Sequence, residues 1–238
     1  MALIVIPARY DSTRFPGKPL TLIEGLPMVV KVYNQAIRCK LADNVVIATD
    51  DERIFNSAQK FNCNVTMTSS LHKSGTDRVA EAASKFDSQI IVNLQGDEPF
   101  ISPELIDQGI KILQDDISAD ISTPVKLISN QDEIENRNVV KVVFGKNNYA
   151  LYFSRSAIPY FRETNIEKLF YKHIGLYIFR KESLNKFIKF EESYLEKVEK
   201  LEQLRALENH LKIKIYKTDY ESIAIDTPDD LKRLKISQ

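Results

Sequence analysis

Apolar residues in the first half of the chain fall by turns into short unbroken runs and helical stripes. Ala2 to Ile6 is an apolar run stopped by Pro7 and reads as a buried strand. A polar loop follows, 8–19. Pro27 stands where a first helical turn accepts it, and Val29, Val30, Val32, Tyr33 and Ile37 predict a helix to about Leu41. Asn44 to Thr49 is a second strand, ending on Asp50 and Asp51, which can cap a helix running to Phe61. Asn64 to Thr68 reads as a strand and Thr76 to Phe86 as a helix. Gln89 to Leu94 is an apolar strand that enters Gln95-Gly96-Asp97-Glu98-Pro99. Ser102-Pro103-Glu104 then opens a helix to about Gln114. Strands alternating with helices of this length imply right-handed βαβ units on a mostly parallel sheet.

The second half is different. Ala119–Leu127, Val139–Phe144, Tyr149–Ser154 and Tyr171–Phe179 read as strands, closer together and rich in Tyr and Phe. They suit antiparallel additions or a small lobe over about residues 120–190. Ser193 to Leu211 reads as one long helix with Leu195, Val198, Leu201, Leu204 and Leu207 on a stripe. Glu202 and Gln203 lie off that stripe, facing water or a site. A last strand, Lys214–Thr218, precedes Ile225-Asp226-Thr227-Pro228 and a closing helix. The fold class expected is α/β: a mostly parallel open sheet with helices on both faces, and a smaller antiparallel lobe in the second half. The 238 residues suit one domain, with no linker or repeat.

Composition narrows the function. Lysine and arginine number 33, aspartate and glutamate 33, so the net charge is zero, against a mainly electrostatic nucleic-acid binder. No apolar stretch reaches the length of a membrane span, and the N-terminus lacks the pattern of a signal peptide. Cys39 and Cys63 form no disulfide framework or metal-ligand spacing and read as reduced thiols of a cytoplasmic protein. Glycines are few, seven in all, so each one kept asks for a reason.

Four loops carry candidate chemistry. The loop after the first strand holds Arg9, Arg14 and Lys18, with Gly17 beside the lysine. Ligands of open α/β sheets bind outside the carboxyl ends of strands, and arginine forks match phosphate oxygens. The spacing is neither a Walker loop nor a dinucleotide fingerprint, and a solvated basic loop fits equally. Asp97, between Gly96 and Glu98-Pro99 at a strand end, suits a hard cation such as Mg²⁺. Its alternative, a helix cap, is weakened because Ser102 stands at the cap position. Asp226, also at a strand end, is either a turn residue or a second carboxylate for the same cation. Ser74-Gly75-Thr76 opens a helix and offers hydroxyls and N–H groups to a polar ligand, or Thr76 is only a cap.

In this order the loops resemble the 3-deoxy-manno-octulosonate cytidylyltransferase (CMP-Kdo synthetase) family. The matching stretches are Ile6-Pro-Ala-Arg-Tyr-Asp-Ser-Thr-Arg-Phe-Pro-Gly-Lys-Pro-Leu20, Ser74-Gly-Thr-Asp-Arg78, Val92-Asn-Leu-Gln-Gly-Asp-Glu-Pro99, Val140-Lys-Val-Val143, Tyr149-Ala-Leu-Tyr-Phe-Ser-Arg155, His173-Ile-Gly-Leu-Tyr177, Leu201-Glu-Gln-Leu-Arg205 and Asp226-Thr-Pro228. Each is weakly specific; together they span the chain. The resemblance implies a fold like the nucleotide-diphospho-sugar transferases. It implies attack of the anomeric hydroxyl of Kdo on the α-phosphorus of CTP, giving CMP-Kdo and pyrophosphate for lipopolysaccharide synthesis. By the same resemblance Arg9, Arg14 and Lys18 hold the triphosphate, while Asp97 and Asp226 carry Mg²⁺. Ala8, Ser74, Gly75 and Arg78 belong to the nucleotide site. Gln95, Arg162, His173, Tyr177, Glu202 and Gln203 take the sugar. Arg9, Lys18, Asp97 and Asp226 form the catalytic set. The segment around Arg162 departs from the family's usual run, and Asp77 stands where the family often has Glu. A homodimer built through the second-half lobe is also implied. The alternatives are transfer to a related acid sugar, an 8-amino-Kdo or a sialic acid, or a nucleotide-binding module without turnover.

Overall fold

The computed structural model describes residues 1–11, 15–163, 165–222, 224–225, 227 and 229–231. Twelve strands occur among these residues: β1 (Ala2–Ala8), β2 (Leu22–Ile23), β3 (Leu26–Pro27), β4 (Asn44–Thr49), β5 (Val65–Met67), β6 (Ile90–Asn93), β7 (Ile121–Leu127), β8 (Lys141–Phe144), β9 (Ala150–Ser154), β10 (Tyr171–His173), β11 (Tyr177–Arg180) and β12 (Ile213–Lys217). The helices are α1 (Met28–Ala36), α2 (Glu52–Lys60), α3 (Gly75–Ser84), α4 (Pro103–Asp115), α5 (Gln131–Glu135), α6 (Lys181–Phe187), α7 (Tyr194–Glu199) and α8 (Gln203–Glu208).

Strands β5, β4, β1 and β6 lie parallel in that spatial order. Chain order runs outward from β1 to β4 and β5, then returns to β6 on the other side of β1. This reversal opens a crevice at the carboxyl ends of β1 and β6. It is widened because β1 runs on past Pro7: Ala8 still pairs with Thr49 of β4, whereas the pairing with β6 ends at Val5 opposite Asn93. Pro7, expected to stop the strand, is tolerated inside it where only one edge is paired. Alternate residues of β1 feed two cores. Ile4 and Ile6 pack with α1, α2 and α4, and Leu3 and Val5 with α3, α6 and α8.

The antiparallel second half extends the same sheet. β11 pairs with β6 and β7, β10 with β7 and β8, β8 with β9, and β12 lies parallel to β7. The stretch expected as one strand, Tyr171–Phe179, is two strands separated by a bulge at 174–176. His173 faces Val125, but Ile178 faces Ser122, where an unbroken ladder would place it opposite Asp120. The cause is Pro124, in the middle of β7. Its carbonyl accepts from Ile174 N at 3.1 Å on this edge, yet it has no N–H to return, so the opposing strand bulges where a rung is missing.

The long helix expected over Ser193–Leu211 is broken. Lys200 adopts a left-handed conformation (φ 54°) and ends α7; α8 begins at Gln203. Arg155 donates to the carbonyls of Glu199 and Lys200, satisfying the helix end where it stops. Leu201 within the break and Leu204 after it are buried, whereas Val198 before it is exposed. No helix among the described residues is long and apolar enough to cross a membrane. Both cysteines are free and buried, and burial pushes Cys39 up to about 12 and Cys63 to about 11, which keeps them as inert thiols.

Candidate active site

The loops after β1 and β6 meet at the crevice. Lys18 begins a short 3-10 turn, Lys18–Leu20, and its Nζ lies 2.7 Å from Asp97 Oδ2. Gly17 precedes it at φ 72°, a left-handed conformation that glycine adopts without cost. Its Cα also packs on the Tyr10 ring, which a β-carbon would approach to 3.3 Å. The Arg53 guanidinium lies over the same ring, 3.2 Å from its centroid. The loop is thus anchored to α2. Arg9 donates from Nη2 to the His72 carbonyl at 3.1 Å, and the His72 ring meets the Glu81 carboxylate. Arg9, Tyr10, Asp50 and His72 line a hollow of about 280 Å³. Arg14 and Asp226 lie outside the described residues.

The Ser74 loop is organised as a helix start. Ser74 Oγ accepts from Asp77 N and the Asp77 carboxylate accepts from Ser74 N, both at 3.1 Å, a capping box in which Asp serves where Glu is usual. Arg78 is fully buried. Its Nη2 reaches Asp50 at 2.7 Å and its Nη1 meets Thr68, so it ties α3 to the ends of β4 and β5. Ser102 stands at the cap of α4, but its hydroxyl donates to Glu104 instead.

A second hollow, about 570 Å³, opens beside Asp97. Gln95, Asp97, His173, Tyr177, Glu202 and Gln203 all line it. Three separate motifs of the sequence therefore converge on one cavity. The helix break delivers Glu202 and Gln203 to it. Glu202 Oε2 accepts from Thr76 Oγ1 at 2.6 Å, Thr76 accepts from Asn93 Nδ2 at 3.2 Å, and Asn93 Oδ1 accepts from Gln95 Nε2 at 3.3 Å. This chain of bonds links α8, α3 and β6 beneath the cavity. Burial raises the Glu202 carboxyl above its ordinary value, against the Thr76 hydrogen bond, which lowers it. Tyr177 OH donates to Gln203 Oε1 at 2.9 Å, which orients the amide and leaves its buried Nε2 without a partner. Burial pushes the Tyr177 phenol up and the His173 imidazole down to about 3, so both face the cavity uncharged.

Arg162 does not join this group. It is exposed, on the segment after Pro159, and does not line the cavity. Its neighbour Phe161 packs on Phe170, with ring centroids 5.2 Å apart. Lys172 and Lys200, which the sequence reading did not single out, do line the cavity. Lys172 Nζ sits 2.6 Å from both Glu133 and Glu221. Asn93 and Thr123 were also missed. Their one signal was a polar residue at a buried position of an apolar strand. Lys141, from the Val140–Val143 motif, is fully buried with its ammonium on the carbonyls of Asn136, Val139 and Arg155. It holds the wall that carries Asn138 and Val140.

Among the described residues no group of three or more His, Cys, Asp or Glu side chains gathers as a metal cluster. A donor set of one strand-end carboxylate fits Mg²⁺ when substrate phosphates supply the remaining oxygens.

A crevice at a switch point, with cations on one loop and a carboxylate on the next, defines a nucleotide-handling transferase. Residues 3–213 match the cytidylyltransferase family, and the chain belongs to it. The 3-deoxy-manno-octulosonate cytidylyltransferase of Thermodesulfovibrio yellowstonii is 48% identical over 97% of this chain and 95% of its own length. That of Geotalea uraniireducens is 48% identical over 97% and 96%. The solved structure of a CMP:2-keto-3-deoxy-manno-octonic acid synthetase complexed with CTP superposes with a TM-score of 0.94 at 38% identity, covering 99% of this chain and 97% of that one. A cytidylyltransferase from Leptospira borgpetersenii, 20% identical with a TM-score of 0.66, shares the fold.

Proposed function

We propose that the protein transfers CMP from CTP to the anomeric hydroxyl of Kdo, releasing pyrophosphate, as a cytoplasmic step towards lipopolysaccharide. The observation that carries this reading is the single cavity that gathers Gln95, Asp97, His173, Tyr177, Glu202 and Gln203 beside the Lys18–Asp97 pair. An eight-carbon sugar offers many hydroxyls, and this cavity offers neutral donors and acceptors from Gln95 and His173.

In-line displacement at phosphorus requires the nucleophile held in place and charge neutralised on the phosphate oxygens. Arg9 and Lys18, with Arg14, supply cations from one loop; Ala8 and the Ser74–Arg78 loop border the nucleotide. The cavity residues fix the sugar so that its anomeric oxygen faces the α-phosphorus. Asp97 and Asp226 would hold Mg²⁺, which supplies Lewis-acid polarisation of the phosphate and lowers the pKa of the attacking hydroxyl. The enzyme works as a homodimer joined through the second half, about residues 120–190, where the edge strand β9 leaves Leu151 66% exposed.

The test is pyrophosphate release requiring CTP, Kdo and Mg²⁺ together. Asp97→Asn is expected to lower the rate by about a hundredfold or more while the thermal melt is unchanged; near-normal turnover would remove Asp97 from catalysis. Competing Kdo with an 8-amino-Kdo or a sialic acid at equal concentration should favour Kdo, and a strong preference for either rival replaces the sugar assignment. CTP binding without pyrophosphate release, whatever the sugar, would mark a binding module.

A further inference from the structure

Thr123 lies in β7 with no exposed surface. Its Oγ1 is 2.7 Å from the Leu176 carbonyl, 3.4 Å from the Ile174 carbonyl and 2.8 Å from His173 Nε2. Both carbonyls come from the bulge opposite Pro124. A threonine hydroxyl has one proton and two lone pairs, and a carbonyl oxygen can only accept. The proton therefore goes to the Leu176 carbonyl, at the shortest of the three distances. What Thr123 turns towards His173 is a lone pair, and a hydrogen bond at 2.8 Å then requires the proton on Nε2. A neutral imidazole protonated at Nε2 keeps its lone pair on Nδ1. No described residue donates to Nδ1, and the ring lines the cavity between Phe153 and Tyr177, with centroid distances of 5.1 and 5.3 Å.

We propose that Thr123 is a positioning residue that fixes His173 as its Nε2–H tautomer, so that Nδ1 accepts a hydrogen bond from a sugar hydroxyl. The inference rests on the reading of this cavity as the sugar site and gives His173 a defined part in it. His173 recognises a hydroxyl and takes no share of the sugar's carboxylate. An imidazolium would donate from Nδ1 where the neutral ring accepts, and burial holds the ring neutral.

The chain has three histidines, His72, His173 and His210, so the ring nitrogens can be assigned in a long-range ¹H–¹⁵N spectrum by comparison with His173→Gln. The expected spectrum at neutral pH shows His173 protonated at Nε2 and bare at Nδ1. Adding Kdo with CTP under chelation, which prevents turnover, should move the Nδ1 resonance. Thr123→Val should bring up the Nδ1–H form and raise the KM for Kdo about tenfold, with kcat and the KM for CTP within about twofold; Thr123→Ser should restore both. An Nδ1–H tautomer in the wild-type protein overturns the proposal, and this measurement needs no variant to fold. Movement of the Tyr177 and Gln203 side-chain signals with His173 Nδ1 unmoved also overturns it, and leaves the cavity as the sugar site. If Kdo moves none of the three, the cavity reading fails and the proposal with it.

Discussion

His173 and Glu202 lose water at the same cavity, and each is driven towards its uncharged form, the histidine downward and the carboxyl upward. For His173 this has a consequence for stability. Its folded value, about 3, lies below the ordinary 6.5, so between these values the unfolded chain binds the extra proton. The contribution is fully present above the ordinary value and is lost as pH falls from there towards 3, reaching about 2 kcal/mol by about pH 5. Urea titrations of the wild type and His173→Gln should show the wild type losing stability faster over that range; parallel curves would mean that the ring is not held neutral. Arg9, Lys18 and Asp97 stood out in the sequence because they follow strands, where open α/β sheets take ligands, although a solvated basic loop fits the two cations equally. Asn93 and Thr123 were not legible, since a small polar residue in a strand looks alike whether it satisfies backbone or orients a neighbour. Arg162 stands in a segment that departs from the family's run, and it is exposed outside the cavity.

At the level of elements, α4 sits closer to the sheet than a side chain at Gly109 would permit. A β-carbon there would lie 2.5 Å from Ile178 Cδ1 and 2.6 Å from Tyr216 OH, which itself donates to the Leu105 carbonyl at 3.0 Å. The Gly109 carbonyl in turn accepts from Ser122 Oγ at 2.8 Å. Gly109→Ala is expected to destabilise the fold by about 1–2 kcal/mol despite its better helix propensity. Adding Ile178→Val should recover part of the loss, and chemical denaturation of the four proteins of this cycle checks both statements. Nothing in the helical pattern around Gly109 announced this contact, because periodicity reports which face is buried and not how near the opposing surface lies. The break between α7 and α8 was hidden for a related reason. Leu201 and Leu204 keep the spacing of a continuous stripe, and the left-handed Lys200 is a residue type with no special liking for that conformation.

For the whole molecule, the parallel half followed from alternating runs and stripes, which admit few topologies, but the strand order that makes its switch point did not. The antiparallel half was legible as strands, but their pairing depends on partners distant in sequence. An edge strand with an exposed leucine is the surface on which the dimer proposal stands, and Leu151→Lys should shift the mass measured by light scattering from dimer to monomer. An unchanged dimer would move the interface off β9. Pro124 ties these scales together. A side chain with no role in chemistry deletes one rung of the ladder, the facing strand buckles, and two carbonyls turn onto Thr123. The recognition surface is therefore inherited through backbone shape as much as through the residues that line it. Cavity side chains transplanted into a relative whose sheet runs straight at this point would carry the right letters in the wrong directions, unless the proline travelled with them.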